Sequence, residues 1–407
     1  MRDQLRQHLR AILDTYDAVS ADFEVELERP AQPEHGDWAT NTAMRLASVL
    51  KNNPRAIAEE LATKLRARVD PKRVSAVEVA GPGFINIRLA DTYLTDQLAS
   101  ALKAGSSYGR TTTGAETSAI VEYVSANPTG PLTVGHGRNA VLGDTVANLL
   151  EWTGCDVTRE YYYNDAGRQM RVLAQSVRAR YEALVADVEM KTLTHEDGST
   201  VEVPVSFPDD GYQGAYIIDI AQKLADEHGA ALLTTDSLRP FQDKAEEVIF
   251  AEIEGTLARL GIEMDDYFNE RRLYDDNRVQ DTVDRLTEEG YTYEKDDALW
   301  FKTTAFGKDK DTVLIKQTGE PTYRTPDIAY HADKFERGFD AIIDVLGADH
   351  VATYPDVISA LDVLGYDTDR VEVLLYQFVT LVRGGEPVKM STRRANYVTL
   401  DDLINEV

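Results

Sequence analysis

Cysteine is nearly missing from this chain: Cys155 stands alone among 407 residues. An internal disulfide is therefore excluded, and the composition fits a reducing cytoplasm. Long apolar runs are absent too, so no membrane helix is expected. The opening MRDQLRQHLRAILD reads as an amphipathic helix with scattered acids rather than as a secretory signal. Positive charge is scarce, with 43 Lys and Arg against 70 Asp and Glu and a formal net charge of −27. The deficit is uneven, because residues 1–110 hold 15 of each sign and leave 28 basic against 55 acidic for the rest. That balance is unusual for a nucleic-acid binder; it suits a salt-rich cytoplasm or a chain without some basic part. The seven His show no paired ligand spacing, so no side-chain metal site is expected. Cys155 falls beyond a predicted helix end and reads as packing rather than as a catalytic thiol.

What is present is enough for two or three domains, with 43% hydrophobic residues to build their cores. The most informative stretch runs from Ser118 to Tyr163. Ser118–Ser125 has the β-branched and aromatic character of a buried strand. Ala126–Gly135 carries Asn-Pro, Gly-Pro and Val-Gly breakers and reads as a loop. From His136 the spacing becomes helical and stops at Gly154, and Val157–Tyr163 reads as a second strand. Strand, loop, helix, strand makes a βαβ unit, hence a parallel sheet whose ligands gather beyond the carboxyl ends of its strands. The loop there holds Thr133, Val134, Gly135 and His136. Gly135 admits a bulky ligand, the helix amino end favours phosphate, and His136 can donate to developing phosphate charge. The P-loop pattern is excluded, since no Gly-Lys-Ser/Thr follows. The dinucleotide fingerprint is met only loosely, because Ala140 stands where its third Gly would be.

Elsewhere, Thr40–Arg68 reads as helical with a break at Asn53-Pro54, where Pro54 can open a second helix. Gly105–Gly114 is a linker. Asn164–Val185 and most of Asp219–Leu260 read as helix, with a polar, turn-rich 186–216 between them. Tyr291–Thr303 and Thr312–Gln317 read as strands of a hairpin, Ile342–Leu346 as a short apolar strand, and Arg370–Thr380 as either helix or strand.

A second signature, Val388-Lys389-Met390-Ser391-Thr392-Arg393, pairs with the Gly135-His136 loop. Together they resemble the HIGH and KMSKS motifs of class I aminoacyl-tRNA synthetases. VEYVSANPTGPLTVGHGRN, PTYRTPDIAYH at 321–331, LGADH at 346–350 and VKMSTRR at 388–394 are similar to the arginyl-tRNA synthetase versions. GDWATNTAMRLA at 36–47 and GPGFINIRL at 81–89 resemble that family's N-terminal domain. The fold implied is α/β, a Rossmann-like class I synthetase catalytic domain over 111–407 with a helical insertion at about 165–260. A small α/β domain over 1–110, which would contact the outer corner of tRNA, precedes it. The family's helical anticodon-binding domain would follow the KMSKS-like loop and is absent from this sequence, which therefore reads as a truncated form or a short paralogue.

The resemblance implies activation of L-arginine by ATP, with Mg²⁺ accompanying the nucleotide, and transfer to the 2′-hydroxyl of the 3′-terminal adenosine of tRNA(Arg). Thr133, Gly135, His136 and Lys389 are the catalytic candidates, with Gly347, Asp349, Met390 and Ser391 completing the ATP set. Glu122, Ser125, Asn127, Tyr323, Asp327 and His350 are the arginine set, since a guanidinium is matched by a planar carboxylate. An acid inside the apolar run IVEYV needs a partner, whereas Asp327 after Pro326 would more commonly cap a helix. Arg66 and Arg68 are candidates for tRNA phosphates. Two departures stand out: Thr133 replaces the first His of HIGH, and Thr392 replaces the second Lys of KMSKS. The family often compensates for that Lys with one just before HIGH, where this chain has Gly130; Arg393 and Arg394 are the nearest substitutes. No dimer element is visible, so a monomer is expected. The competing readings are a nucleotidyltransferase with a His-x-Gly-His loop, and a synthetase-like paralogue that binds arginine or RNA without aminoacylating.

Overall fold

The structure, a computed structural model, describes residues 1–194, 198–383, 386–387 and 398–407. The chain divides into two compact units, Met1–Gly109 and Arg110–Val407.

The first unit packs helices against a small antiparallel sheet of Trp38–Thr40, Phe84–Leu89 and Val74–Ala80, in that order. The predicted helical break is real: Thr42–Leu50 ends and Pro54–Arg66 begins, with Asn53 Oδ1 accepting the Arg55 N–H at 2.9 Å. Leu5, Leu9 and Ile12 of the opening helix bury against Leu61, Leu65 and Ile87, each such side chain contributing about 1.5–3 kcal/mol on burial.

In the second unit, β1 (Ser118–Glu122), α1 (Val134–Thr153) and β2 (Asp156–Tyr163) form the predicted βαβ unit. Helix α1 starts two residues earlier than its apolar period suggests, because Thr133 already serves as its N-cap, and it stops where Gly154 adopts φ 100°. Helix α2 (Gly167–Val185) follows, beginning later than Asn164 because the Asn164 Oδ1 takes the Ala166 N–H at 2.7 Å. The polar 186–216 segment, expected as turns, carries an antiparallel hairpin of Met190–Thr194 and Thr200–Pro204. One face of it packs Leu193, Val201 and Val203 against Ala179 and Phe207, but each strand is only five residues long, too short for its alternation to stand out in a polar segment. Helices α3 (Ala215–His228) and α4 (Arg239–Arg259) complete the insertion, and β3 (Asp266–Asn269) returns to pair with β2.

After a three-stranded antiparallel meander of Thr292–Lys295, Ala298–Phe301 and Thr312–Ile315 come α5 (Arg324–Glu336) and β4 (Ala341–Gly347). They are followed by α6 (Tyr354–Val363) and β5 (Val371–Tyr376). The ambiguous 370–380 segment is thus a strand, the edge partner of β4. The sheet order is β5-β4-β1-β2-β3, all parallel. Strand order reverses between β1 and β4, which makes their carboxyl ends the topological switch point. Alternation along β1 sends Ala119 and Val121 into the core under α1, while Ile120 packs with Ile328 and Ala332 of α5. The close approach of α1 to the sheet needs Gly143, whose Cβ would stand 2.2 Å from the Tyr123 ring.

Candidate active site

At the switch point lies a cavity of about 590 Å³. The end of β1 brings Glu122, Ser125 and Asn127 to its wall, and the start of α1 brings Thr133, Gly135 and His136. Tyr323 and Asp327 come from α5, and Gly347, Asp349 and His350 from the end of β4. Eleven residues expected at the site from sequence therefore converge from four places in the chain. Lys389, Met390 and Ser391, with Arg393 and Arg394, lie outside the described residues.

The amino end of α1 explains Thr133. Its backbone N–H donates to His136 Nδ1 at 3.0 Å, one half of a capping box in which His replaces the usual acid. An N–H can only donate, so Nδ1 is the acceptor and the ring proton sits on Nε2. Burial lowers the His136 pKa, which leaves a neutral imidazole with one donor. A Cβ on Gly135 would meet nothing closer than Thr133 Oγ1 at 3.6 Å; the room it leaves lies at the cavity wall. At Gly130 a Cβ would come 3.0 Å from the Tyr216 hydroxyl, which itself donates to the Thr129 carbonyl at 2.6 Å. A lysine there would have to displace that ring.

The expected arginine set splits in two. On the β1 side the polar atoms are engaged by the protein. Glu122 and Asp344 are neighbours in the β1–β4 ladder, on the sheet face toward α5. Side by side they would repel, and the fully buried Lys334 ammonium donates to both, at 2.6 Å each. His331 completes the cluster: Nδ1 donates to the Asp327 carbonyl at 2.7 Å and Nε2 to Asp344 at 2.8 Å. Both nitrogens face acceptors, which requires the imidazolium. Burial opposes each of these charges, yet Lys334 and His331 hold the Asp344 carboxyl well below the usual range, and Asp344 in turn keeps Lys334 and His331 raised. Glu122, His331 and Asp344 are spaced as metal ligands would be, but the Lys334 ammonium already supplies the cation, so this cluster does not fit a metal ion. The second oxygen of Glu122 accepts from Ser125 Oγ at 2.9 Å, and Ser125 Oγ accepts the Tyr162 N–H at 3.2 Å. Asn127 takes the Asn164 N–H at 3.1 Å and donates to Gln169 at 2.9 Å. The lone acid in IVEYV thus has its partner, 212 residues away.

The other side is open. Among the described residues, none hydrogen-bonds the Asp327 carboxylate, and burial pushes its pKa up to about 7. The Tyr323 ring is 71% exposed. A further acid, Glu270, also lines the cavity, with its carboxylate held by Tyr162 at 2.6 Å and Asn164 at 2.8 Å and its pKa raised by burial. Sequence gave no sign of it: Asn-Glu-Arg-Arg at the end of a four-residue strand has no pattern of its own.

In the first unit, Arg66 is exposed but its guanidinium is engaged at its own surface. Its guanidinium donates twice to the Val77 carbonyl, at 2.8 and 2.5 Å. Arg45 and Arg55 pair with Glu26 and Glu59. Arg68 is exposed.

Residues 97–407 match the family model described as "tRNA synthetases class I (R), catalytic domain", and residues 1–89 match "Arginyl tRNA synthetase N terminal domain". The chain is 69% identical over 407 residues to an arginine--tRNA ligase of Salinibacter ruber, covering 100% of this chain and 72% of that protein. With an arginine--tRNA ligase of Desulfotalea psychrophila the identity is 52% over 381 residues, covering 94% of this chain and 66% of the relative. The fold matches that of Thermus thermophilus arginyl-tRNA synthetase with a TM-score of 0.68 at 20% identity, over 100% of this chain and 69% of that one. The model matches and the identities together place the chain in the arginyl-tRNA synthetase family.

Proposed function

We propose that this protein activates L-arginine with ATP and transfers it to tRNA(Arg). In the first step an arginine carboxylate oxygen bonds to the α-phosphorus of ATP as pyrophosphate leaves, giving arginyl-adenylate. In the second, the 2′-hydroxyl of the 3′-terminal adenosine attacks the arginyl carbonyl and AMP departs. Neither step needs a protein nucleophile, so catalysis is positioning together with stabilisation of phosphate charge. His136 contributes its Nε2–H as a neutral donor, at a helix amino end whose dipole favours anions. Lys389 supplies the second donor to phosphate, with Met390 and Ser391 beside it, and Mg²⁺ enters with ATP as part of the substrate.

The observation that carries this reading is Asp327. A carboxyl pushed to about 7 with no hydrogen-bond partner for its carboxylate among the described residues is under-solvated, and a guanidinium offers the two parallel donors that match it. Glu270 is the second acid of the same wall, with Tyr323 over the substrate side chain. His350, with Gly347 and Asp349, sits toward the nucleotide end. Glu122, Ser125 and Asn127 shape the wall rather than supply free ligand atoms.

The test is amino-acid-dependent exchange of pyrophosphate into ATP, run with arginine, lysine and glutamine, with and without tRNA. The tRNA arm is included because members of this family generally need bound tRNA to activate arginine. Exchange with arginine alone is expected. Equal exchange with lysine or glutamine, or none with arginine in either arm, would contradict the assignment.

A further inference from the structure

Asn139 is buried in the first half of α1, only 5% exposed. A buried amide inside a helix is unfavourable unless its polar atoms are satisfied, and here both reach outside the helix. Its Oδ1 accepts the Val124 N–H at 2.8 Å, and its Nδ2 donates to the Val345 carbonyl at 2.9 Å, with the Tyr376 hydroxyl at 3.5 Å. The orientation of the amide follows, because a backbone N–H needs an acceptor and a carbonyl needs a donor.

The two backbone groups it holds are those at which the β1–β4 ladder stops. The β1–β4 ladder ends at the pair Glu122 and Asp344. The next groups, Val124 N–H and Val345 C=O, meet one side-chain amide instead of each other. Across the same interval β1 leaves strand geometry. Val124 has φ 66° and Ser125 φ 44°, and the Ser125 N–H closes a three-residue turn onto the Tyr123 carbonyl at 3.0 Å. For a β-branched residue that conformation is a real outlier, which persists only where surrounding contacts impose it.

We infer that Asn139 is a positioning residue: its amide is the spacer that sets the width of the crevice between β1 and β4. Through Val124 it fixes the bend that carries Ser125, and with it the Ser125–Glu122 contact on the arginine side. Through Val345 it fixes the strand end that runs by Leu346 into Gly347 and Asp349 on the nucleotide side. One side chain thereby registers the two substrates against each other without touching either reacting group. The inference rests on the function proposed above.

Two variants test it. Asn139→Leu keeps the volume and removes both hydrogen bonds. With a normal fold by circular dichroism, and with constants expressed per titrated active site, the KM values for arginine and for ATP should each rise roughly tenfold, the scale of a lost buried hydrogen bond. Asn139→Asp at pH 8.5 keeps an acceptor for Val124 and sets another acceptor against Val345. Its KM for ATP should rise roughly tenfold while that for arginine stays within about threefold. A purely structural role would lower the melting temperature and the active fraction and leave both constants alone. That result, or equal shifts of both constants in the Asp variant, would overturn the inference. If the wild type shows no arginine-dependent exchange, the proposed function fails first. The spacer is then judged on calorimetric Kd for ATP in the same variants, where an unchanged value in both would overturn it.

Discussion

The two walls of the cavity hold acids of the same chemical type in opposite states. On the β1 wall, Glu122 and Asp344 flank a buried ammonium and an imidazolium, so that two negative charges meet two positive ones. On the α5 wall, the Asp327 carboxylate has no hydrogen-bond donor among the described residues, and lost hydration holds its pKa near 7. The first arrangement has its ion-pair partners within the protein whether or not a ligand arrives. The second has an electrostatic demand that, under the function proposed above, the cationic substrate would meet. Under the proposed function, the difference separates residues that build the site from residues that would bind in it, although both are polar and line the same cavity.

The largest way to break that contrast is Lys334→Met. It leaves two neighbouring buried carboxylates without their ammonium, and loss of about 3–5 kcal/mol of unfolding free energy is expected by urea denaturation. Asp327→Asn should do nothing of the kind. A carboxyl whose folded pKa is raised contributes stability that is fully present below its unfolded value and is lost as pH rises through about 7. At pH 8 the Asn variant should therefore be as stable as the wild type or more so. A Lys334 variant of normal stability, or an Asp327 variant that unfolds easily, would reverse the roles of the two walls.

Next in size is Asp327→Ala read on ligands. Arginine affinity should fall at least about a hundredfold, as befits loss of a charge-assisted bidentate contact, with the Kd for ATP within about twofold. Normal arginine affinity in that variant would remove Asp327 from the binding wall. The smallest effect belongs to the N-terminal unit. Arg68→Glu should weaken tRNA binding several-fold and reduce the salt slope by about one. Arg66→Ala, whose guanidinium is spent on the Val77 carbonyl, should lower stability and leave that slope alone. An equal effect of both on the slope would place Arg66 on the tRNA face beside Arg68.

Much of this was legible in the sequence where local rules and motif agree. The βαβ unit, the break before Pro54 and the Gly154 stop all follow from periodicity and from residues with one strong backbone preference. Glu122 was legible as an acid in need of a partner. Which partner was not, because Lys334 lies on another element whose approach depends on the whole sheet. Glu270 was invisible for the same reason, since its site is assembled by the Tyr162 and Asn164 side chains across the β2–β3 pair. The hairpin at 190–204 was not legible because its alternation runs over only five residues per strand inside a polar, turn-rich segment. Thr133 is a departure from the first His of the motif; locally it is an N-cap whose N–H fixes the tautomer of His136.

The most direct measurement is the number of protons released when arginine binds, obtained by calorimetry in buffers of different ionisation enthalpy. With Asp327 near 7 in the free protein, a guanidinium that lowers it should release about 0.9 proton at pH 6 and close to none at pH 8.5. Affinity should accordingly fall about tenfold per pH unit below 7 and level off above it, and Asp327→Asn should abolish the release. Arginine binding at pH 6 with no proton released would contradict the assignment of Asp327 as the guanidinium partner.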